Sequence, residues 1–391
     1  MYINDYLTEI ITGFTIAQIM IPESMAFSLL LGLPPSVGLH STMIMSFITS
    51  LFGGCPGLIS GSTAAVATSL AGINTFVGKE YIFLGVIMGG FIQILMGITG
   101  FYKLIYNISK PVTSGFLVTL GVLIAMAQLD NFKDSKTEKW FEGEELFATL
   151  FFSLLAALIS FYGLVVVKFS KLRNLGMHIP GELISIAIII GLFLILPFKL
   201  PIEKIGDRGD VHNTIPKIQL PTIDSNILKV LPFSIAMAVA GLTDSILMVK
   251  EASQTLNVKG NPLQETIVQG IANIISGLCG GIGGCVIVGE TKSNLENGSK
   301  TRVASISASL FFIIFTLFFS KGIELIPMPA IIGILLTVAY KTGDWSSLLQ
   351  GFDTKWFVVV CTAIIGISTG NLTMAIISGS VIEKIVQKIR E

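Results

Sequence analysis

Four ionisable side chains stand in apolar or half-apolar surroundings where an idle charge would be expensive: Glu23 in IPESMAF, Asp244 in AVAGLTDSILMV, and Glu290 with Lys292 in GGCVIVGETKSNLENGS. At membrane depth such a group costs about 3 kcal/mol on insertion scales, so each is a functional candidate. Asp244 has the cleanest apolar context, and a carboxylate there suits holding a proton or a small cation. The competing reading is a structural acid paired with a lysine, and Lys292 is the candidate partner, an internal ammonium in place of a mobile cation. Glu290, at what reads as a helix start, is also explained by the helix dipole alone.

Two broken apolar segments must position these groups. Pro56 to Gly72 reads PGLISGSTAAVATSLAG, a short extended run followed by a helix-like stretch. Gly283 to Ser299 repeats the plan: Val286-Ile287-Val288 reaches Gly289, and a polar helical stretch follows. Extended backbone at membrane depth is tolerated only when buried in protein or lining a wet cavity. A helix opening there points unbonded N–H groups and a partial positive charge into the membrane, and two such helices facing each other form an anion site. Gly61 and Gly289 are expected to provide the turn and close approach, with Ser62, Thr63 and Thr291 as hydroxyl donors. Small and hydroxylated residues also make packing faces between membrane helices, but a matched pair of interrupted segments is the sequence pointer to a transporter site. If Glu23 and Glu290 both face the cavity, anion entry requires their protonation and uptake rises as pH falls.

Composition sets the surroundings. Of 391 residues, 52% are hydrophobic and 13% charged, against about 25% charged in soluble domains. Runs such as Tyr81 to Gly100, Leu146 to Val167, Ile179 to Phe198, Val303 to Ser320 and Trp356 to Gly370 approach the length of a membrane-crossing helix. The first run, Ile10 to Gly32, lacks a small-x-small cleavage site and is read as a retained span. Basic residues collect at Lys103 and Lys110, at Lys168, Lys171 and Arg173, at Lys300 and Arg302, and at Lys384, Lys388 and Arg390. By the positive-inside rule these loops and both termini are cytoplasmic, with an even number of spans. Asp130 to Glu145, with six acids against three lysines, belongs outside. Zero formal net charge gives no basic surface for nucleic acid. Four cysteines without C-x-x-C spacing and three scattered histidines give neither a disulfide framework nor a metal site. No nucleophile elbow, P-loop or zinc motif argues for an enzyme. Four arginines among 25 basic residues suit an AT-rich bacterial gene and a bacterial inner membrane.

The order of motifs resembles the sulfate permease (SulP) family of anion transporters. The stretches that carry it are GFTIAQIMIPESMAFSLLLGLPPSVGLHS, FGGCPGLISGSTAAVA, PVTSGF at Pro111, IPGEL at Ile179, GLTDSIL at Gly241, and QGIANIISGLCGGIGGCVIVGE into NGSKTR. The resemblance implies an all-α polytopic membrane protein of about fourteen segments in two inverted sevens, like the nucleobase permeases, with an elevator-like motion of a core domain against a gate domain. The expected division is residues 1–200, a connecting outer loop at 201–229, and 230–391, with no STAS domain following. By resemblance the substrate site draws on Glu23, Phe27, Ser62, Thr63, Ala64, Gly289, Glu290 and Thr291, and Asp244 serves proton or sodium coupling. No cofactor is implied; a small inorganic anion, a coupling ion, lipid and a homodimer are. Three departures stand out. Glu290 occupies a position that is Gln in the short bacterial members and Arg in animal relatives; Lys292 replaces an apolar residue; and Met248 stands where sodium-coupled members tend to have Thr. The expected activity is secondary transport of sulfate or bicarbonate, the alternatives being a dicarboxylate or nucleobase carrier or an anion channel.

Overall fold

The computed structural model describes residues 3–134, 137, 139–168, 181–195, 202–209, 211, 215–218, 220–221, 224–351 and 353–390. Lys136 and Glu138 of the acidic stretch, Lys171 and Arg173 of the second basic group, and Ile179 at the head of IPGEL lie outside the described residues.

Fourteen helices of nine residues or more are present among the described residues. The first seven are α1 (Ile3–Leu30), α2 (Pro35–Phe52), α3 (Ala64–Phe76), α4 (Ile82–Ile98), α5 (Lys110–Ala127), α6 (Gly143–Lys168) and α7 (Gly181–Ile195). The rest are α8 (Ile227–Leu256), α9 (Pro262–Leu278), α10 (Val288–Glu296), α11 (Val303–Phe318), α12 (Met328–Thr342), α13 (Thr354–Thr369) and α14 (Leu372–Arg390). Five stretches, in α1, α4, α5, α6 and α8, are long and apolar enough to cross a membrane unaided. The polar stretch Pro22 to Ser24 does not break α1, which runs through it.

Local chemistry sets the boundaries. Asn261 caps α9 by accepting from Gln264 N at 3.1 Å, with Pro262 at the first helical position. Asp353 caps α13 through Trp356 N at 2.8 Å. Left-handed Asn257 ends α8 and Gly370 ends α13.

Small residues let the helices approach closely. A Cβ on Gly90 of α4 would lie 2.6 Å from Gly270 O of α9, and the reverse holds for Gly270. Gly13 of α1 sits as tightly on Ala304 O of α11, Gly115 of α5 on Val359 O of α13, and Gly333 of α12 on Ser153 O of α6. Between membrane helices dispersion at such contacts substitutes for a hydrophobic drive. Most packing falls within two groups, α1–α4 with α8–α11 and α5–α7 with α12–α14. The cavity described below lies between them. The stretch expected to connect the halves is tied down at several points. Lys204 bridges to Pro327, Arg208 pairs with Glu203 at 2.6 Å, and Tyr81 donates to Asp224 at 2.6 Å, which holds that carboxyl below its ordinary range.

Candidate substrate site at the crossing strands

At the centre two short strands, β1 (Ser60–Gly61) and β2 (Cys285–Val286), pair antiparallel, with Ser60 opposite Val286 and Gly61 opposite Cys285. Exchanging the strands relates Gly61 to Val286, three residues before the Gly289 that the sequence pattern matches to it. The glycine work is accordingly placed elsewhere than expected. Just ahead of the strands, Gly57 (φ +79) and Gly283 (φ +71) are left-handed. The close approach belongs to Gly284, whose Cβ would fall 1.9 Å from Gly61 O. Gly289 lies inside the first turn of α10 and faces open space.

Each strand feeds a helix, so the N-termini of α3 and α10 converge where the strands cross. They are finished differently. The Thr63 hydroxyl caps α3, accepting from Val66 N at 3.4 Å, and lies 3.0 Å from Cys285 Sγ. At α10 the N-cap is Ile287, which offers no side-chain cap. The leading N–H groups of α10 therefore have no cap from the N-cap side chain, whereas at α3 the Thr63 hydroxyl takes up Val66 N.

A cavity of about 550 Å³ lies against these two starts. Of the expected site residues, Glu23, Phe27, Thr63, Ala64, Asp244, Gly289, Glu290 and Lys292 line it. Ser62 and Thr291 do not. Ser62 is turned into the packing of α2, its N–H donating to Thr42 Oγ1 at 3.0 Å and its hydroxyl to Gly38 O at 3.1 Å. Thr291 Oγ1 accepts from Ile59 N at 3.1 Å, clamping the chain ahead of β1. Both hydroxyls secure the broken segments; an α-helix puts residues one apart about 100° away on its circumference, so neighbours of a lining residue face elsewhere.

Asp244 is buried, its Oδ2 accepting a long 3.8 Å contact from Cys285 Sγ, while Oδ1 finds no hydrogen-bond partner among the described residues. Lys292 is not its partner. The Lys292 ammonium lies 3.9 Å from Glu251, with both side chains 42% exposed. Position 292 is one turn beyond the α10 start, near the exposed end of the cavity, so the internal-ammonium reading is set aside. Glu23 and Glu290, both buried, line the same cavity close enough to feel one another, and Glu23 Oε2 has no hydrogen-bond partner among the described residues. Two carboxyl groups that share a buried site resist ionising together, and any direct hydrogen bond between them needs a proton on one.

The opposite wall brings residues that the sequence reading did not single out. Leu120 and Ile124 of α5 supply apolar surface, and Glu182 of α7 meets Lys341 of α12 at 2.6 Å. Glu182 sits in IPGEL, so a signal existed: an acid directly after Pro-Gly at a helix start. Lys341 closes an apolar helix and reads in sequence only as a topological flank.

Polar side chains hold the strands from behind. Glu265 of α9 accepts from Gly54 N at 2.5 Å and from Gln269 Nε2 at 2.8 Å, and Gln269 also reaches Ser60 Oγ at 2.8 Å. Arg302 donates to the carbonyls of Ser50 and Gly53. Behind β2 the groups are neutral: Ser41 Oγ donates to Gly283 O at 2.8 Å, and Asn273 exchanges two bonds with Gly284 at 3.0 and 2.8 Å.

Comparison with known proteins agrees with this geometry. The family model for the sulfate permease family matches residues 7–364. A putative sulfate transporter of Bacillus subtilis, YbaR, is 29% identical over 378 residues, 95% of this chain and 74% of that protein. The bicarbonate transporter BicA of Synechocystis is 26% identical over 395 residues, 91% of this chain and 66% of that protein. Among solved structures, the transmembrane domain of a cyanobacterial BicA superposes with a TM-score of 0.79 at 22% identity, covering 96% of this chain and 98% of that one. SLC26A9 gives 0.78 at 19% identity, covering all of this chain and 66% of that one.

Proposed function

Since the chain belongs to the sulfate permease family, and is thus a multi-pass membrane transporter of small inorganic anions and not an enzyme, we propose that it is a cation- or proton-coupled secondary carrier whose preferred substrate is bicarbonate. Two buried acids on one cavity, Glu23 and Glu290, carry this reading. A dianion such as sulfate beside that pair is repelled by whatever charge it holds, at an energy that grows as the dielectric falls. Bicarbonate has a single charge and a hydroxyl of its own, so it can accept from the leading N–H groups of α10 while donating to a carboxylate oxygen. Asp244, with its unpartnered Oδ1 on the same cavity, is assigned the coupling proton or sodium ion.

The transport motion we propose is an elevator-like displacement of the α1–α4 and α8–α11 group along the α5–α7 and α12–α14 group. The packing supports two inverted halves, residues 1–200 and 230–391: α1 packs on α11 as α8 does on α4, and α5 on α13 as α12 does on α6. Both termini are assigned to the cytoplasm of a bacterial inner membrane by the basic residues of the loops, and the carrier acts as a homodimer. The test is uptake of labelled bicarbonate and sulfate into proteoliposomes under imposed sodium or proton gradients, with Asp244→Asn alongside. Saturable, gradient-driven accumulation that Asp244→Asn abolishes is the expected result. Unsaturable flux without accumulation would mean a channel, and competition by dicarboxylates or nucleobases alone would move the substrate class.

A further inference from the structure

The cavity has an unequal distribution of charge between its two walls. The wall made by the strand-bearing group contributes three buried acids, Glu23, Asp244 and Glu290. Its lysine, Lys292, is near the exposed end and engaged with Glu251. An anion bound at the start of α10 therefore has acids beside it and backbone N–H groups ahead of it, and its compensating cation has to come from across the cavity.

The facing wall holds such a group. Glu182 in the first turn of α7 and Lys341 in the last turn of α12 meet at 2.6 Å, with the Glu182 side chain 6% exposed and that of Lys341 37% exposed. Each charge also complements its own helix dipole, which would suffice for a purely structural pair. The unequal exposure argues for more. Both side chains line the cavity, and the ammonium is the more exposed half of the pair. A lysine left free would lose rotamer entropy on meeting a ligand; one already held by a buried acid has less to lose.

We propose that Lys341, held by Glu182, is a substrate-contacting residue on the stationary wall, and that it acts only while the cavity is open toward the exposed end lined by Lys292 and Glu296. The inference rests on the carrier reading above. If the strand-bearing group carries the anion along the other group, Lys341 stays behind and the anion leaves its field. Its contribution is then one-sided: it raises affinity at the face toward which this cavity opens and contributes little at the other.

The test is zero-trans uptake of labelled bicarbonate, with sulfate in parallel, in right-side-out and inverted vesicles of the full chain, for wild type, Lys341→Met and Lys341→Arg. For Lys341→Met the half-saturation concentration is expected to rise about tenfold at one membrane face, the size of one charge-assisted contact, and to stay within about twofold at the other. Lys341→Arg, which keeps the cation, should stay near wild type at both. A purely structural pair would shift both faces alike or lower the maximal rate with unchanged half-saturation, and either result overturns the proposal. So does a Lys341→Met protein that is indistinguishable from wild type, or one that Lys341→Arg fails to resemble less than it resembles wild type. Glu182→Gln leaves Lys341 in place without its holder and should raise the same one-sided value by a smaller factor, giving a second reading should Lys341→Met not fold. If wild type moves neither anion, the carrier reading itself fails and this inference falls with it; if wild type transports and the variant effects are symmetric, only the role of Lys341 fails.

Discussion

The two broken segments share a backbone plan and differ in what they leave open. In the first, Thr63 caps α3 at Val66, Ser62 is bound into α2, and Glu265 and Arg302 hold the loop before β1 through charged contacts. The second is held behind by neutral groups, and in front α10 has no N-cap side chain, the position beside Gly289 is unfilled, and Glu290 shares the cavity with Glu23. On the proposed reading the first segment is chiefly a brace and the second presents its helix start to the ligand, so the side chains break the symmetry that the sequence suggests.

That contrast can be broken most severely at the glycines. Gly284→Ala puts a Cβ on the Gly61 carbonyl and should cost the upper end of the roughly 1–3 kcal/mol seen for overpacking, or more; thermal unfolding in detergent should show a marked drop in Tm or no monodisperse protein. Next comes the charged brace. Glu265→Ala leaves Gly54 N without its acceptor and Gln269 Nε2 with Ser60 Oγ alone in place of two acceptors, a loss of about 2–3 kcal/mol, while Ser41→Ala on the neutral side should cost about 1 kcal/mol. Equal losses would erase the distinction between the two anchors. At the helix starts, Thr63→Ala should destabilise by about 1 kcal/mol and Thr63→Ser by little. Gly289→Ala, with nothing within 4 Å of the new methyl, should leave Tm unchanged or slightly raised, as a helical glycine replaced by alanine gains up to about 1 kcal/mol. Its effect belongs in transport, a rise in half-saturation of about threefold or more because the methyl enters the cavity.

Much of this was readable from residue types. Asp244 and Glu23 announce themselves because an acid in an apolar run has few bland explanations, and the paired interruptions mark the centre of the fold. What sequence could not resolve was helical phase and register. Aligning Gly61 with Gly289 looks natural, yet exchanging the paired strands matches Gly61 to Val286, three residues earlier, and that shift goes with Gly289 opening to the cavity while Thr291 clamps Ile59. Lys292 and Asp244 look like partners by charge alone, but Glu251 of α8 offers the ammonium a nearer, wetter carboxylate. Glu182 and Lys341 are 159 residues apart and come together only through the packing of α7 against α12, which no local pattern carries.

The central claim is that the Glu23–Glu290 pair at the open helix start selects a singly charged, hydroxyl-bearing anion. Its most direct test is the ratio of bicarbonate to sulfate uptake, as initial rates over half-saturation, in proteoliposomes containing wild type or Glu290→Gln. Wild type should favour bicarbonate, and Glu290→Gln should shift the ratio toward sulfate by about tenfold, the equivalent of roughly 1.4 kcal/mol. A ratio unchanged by Glu290→Gln, or a wild type that favours sulfate, would contradict it.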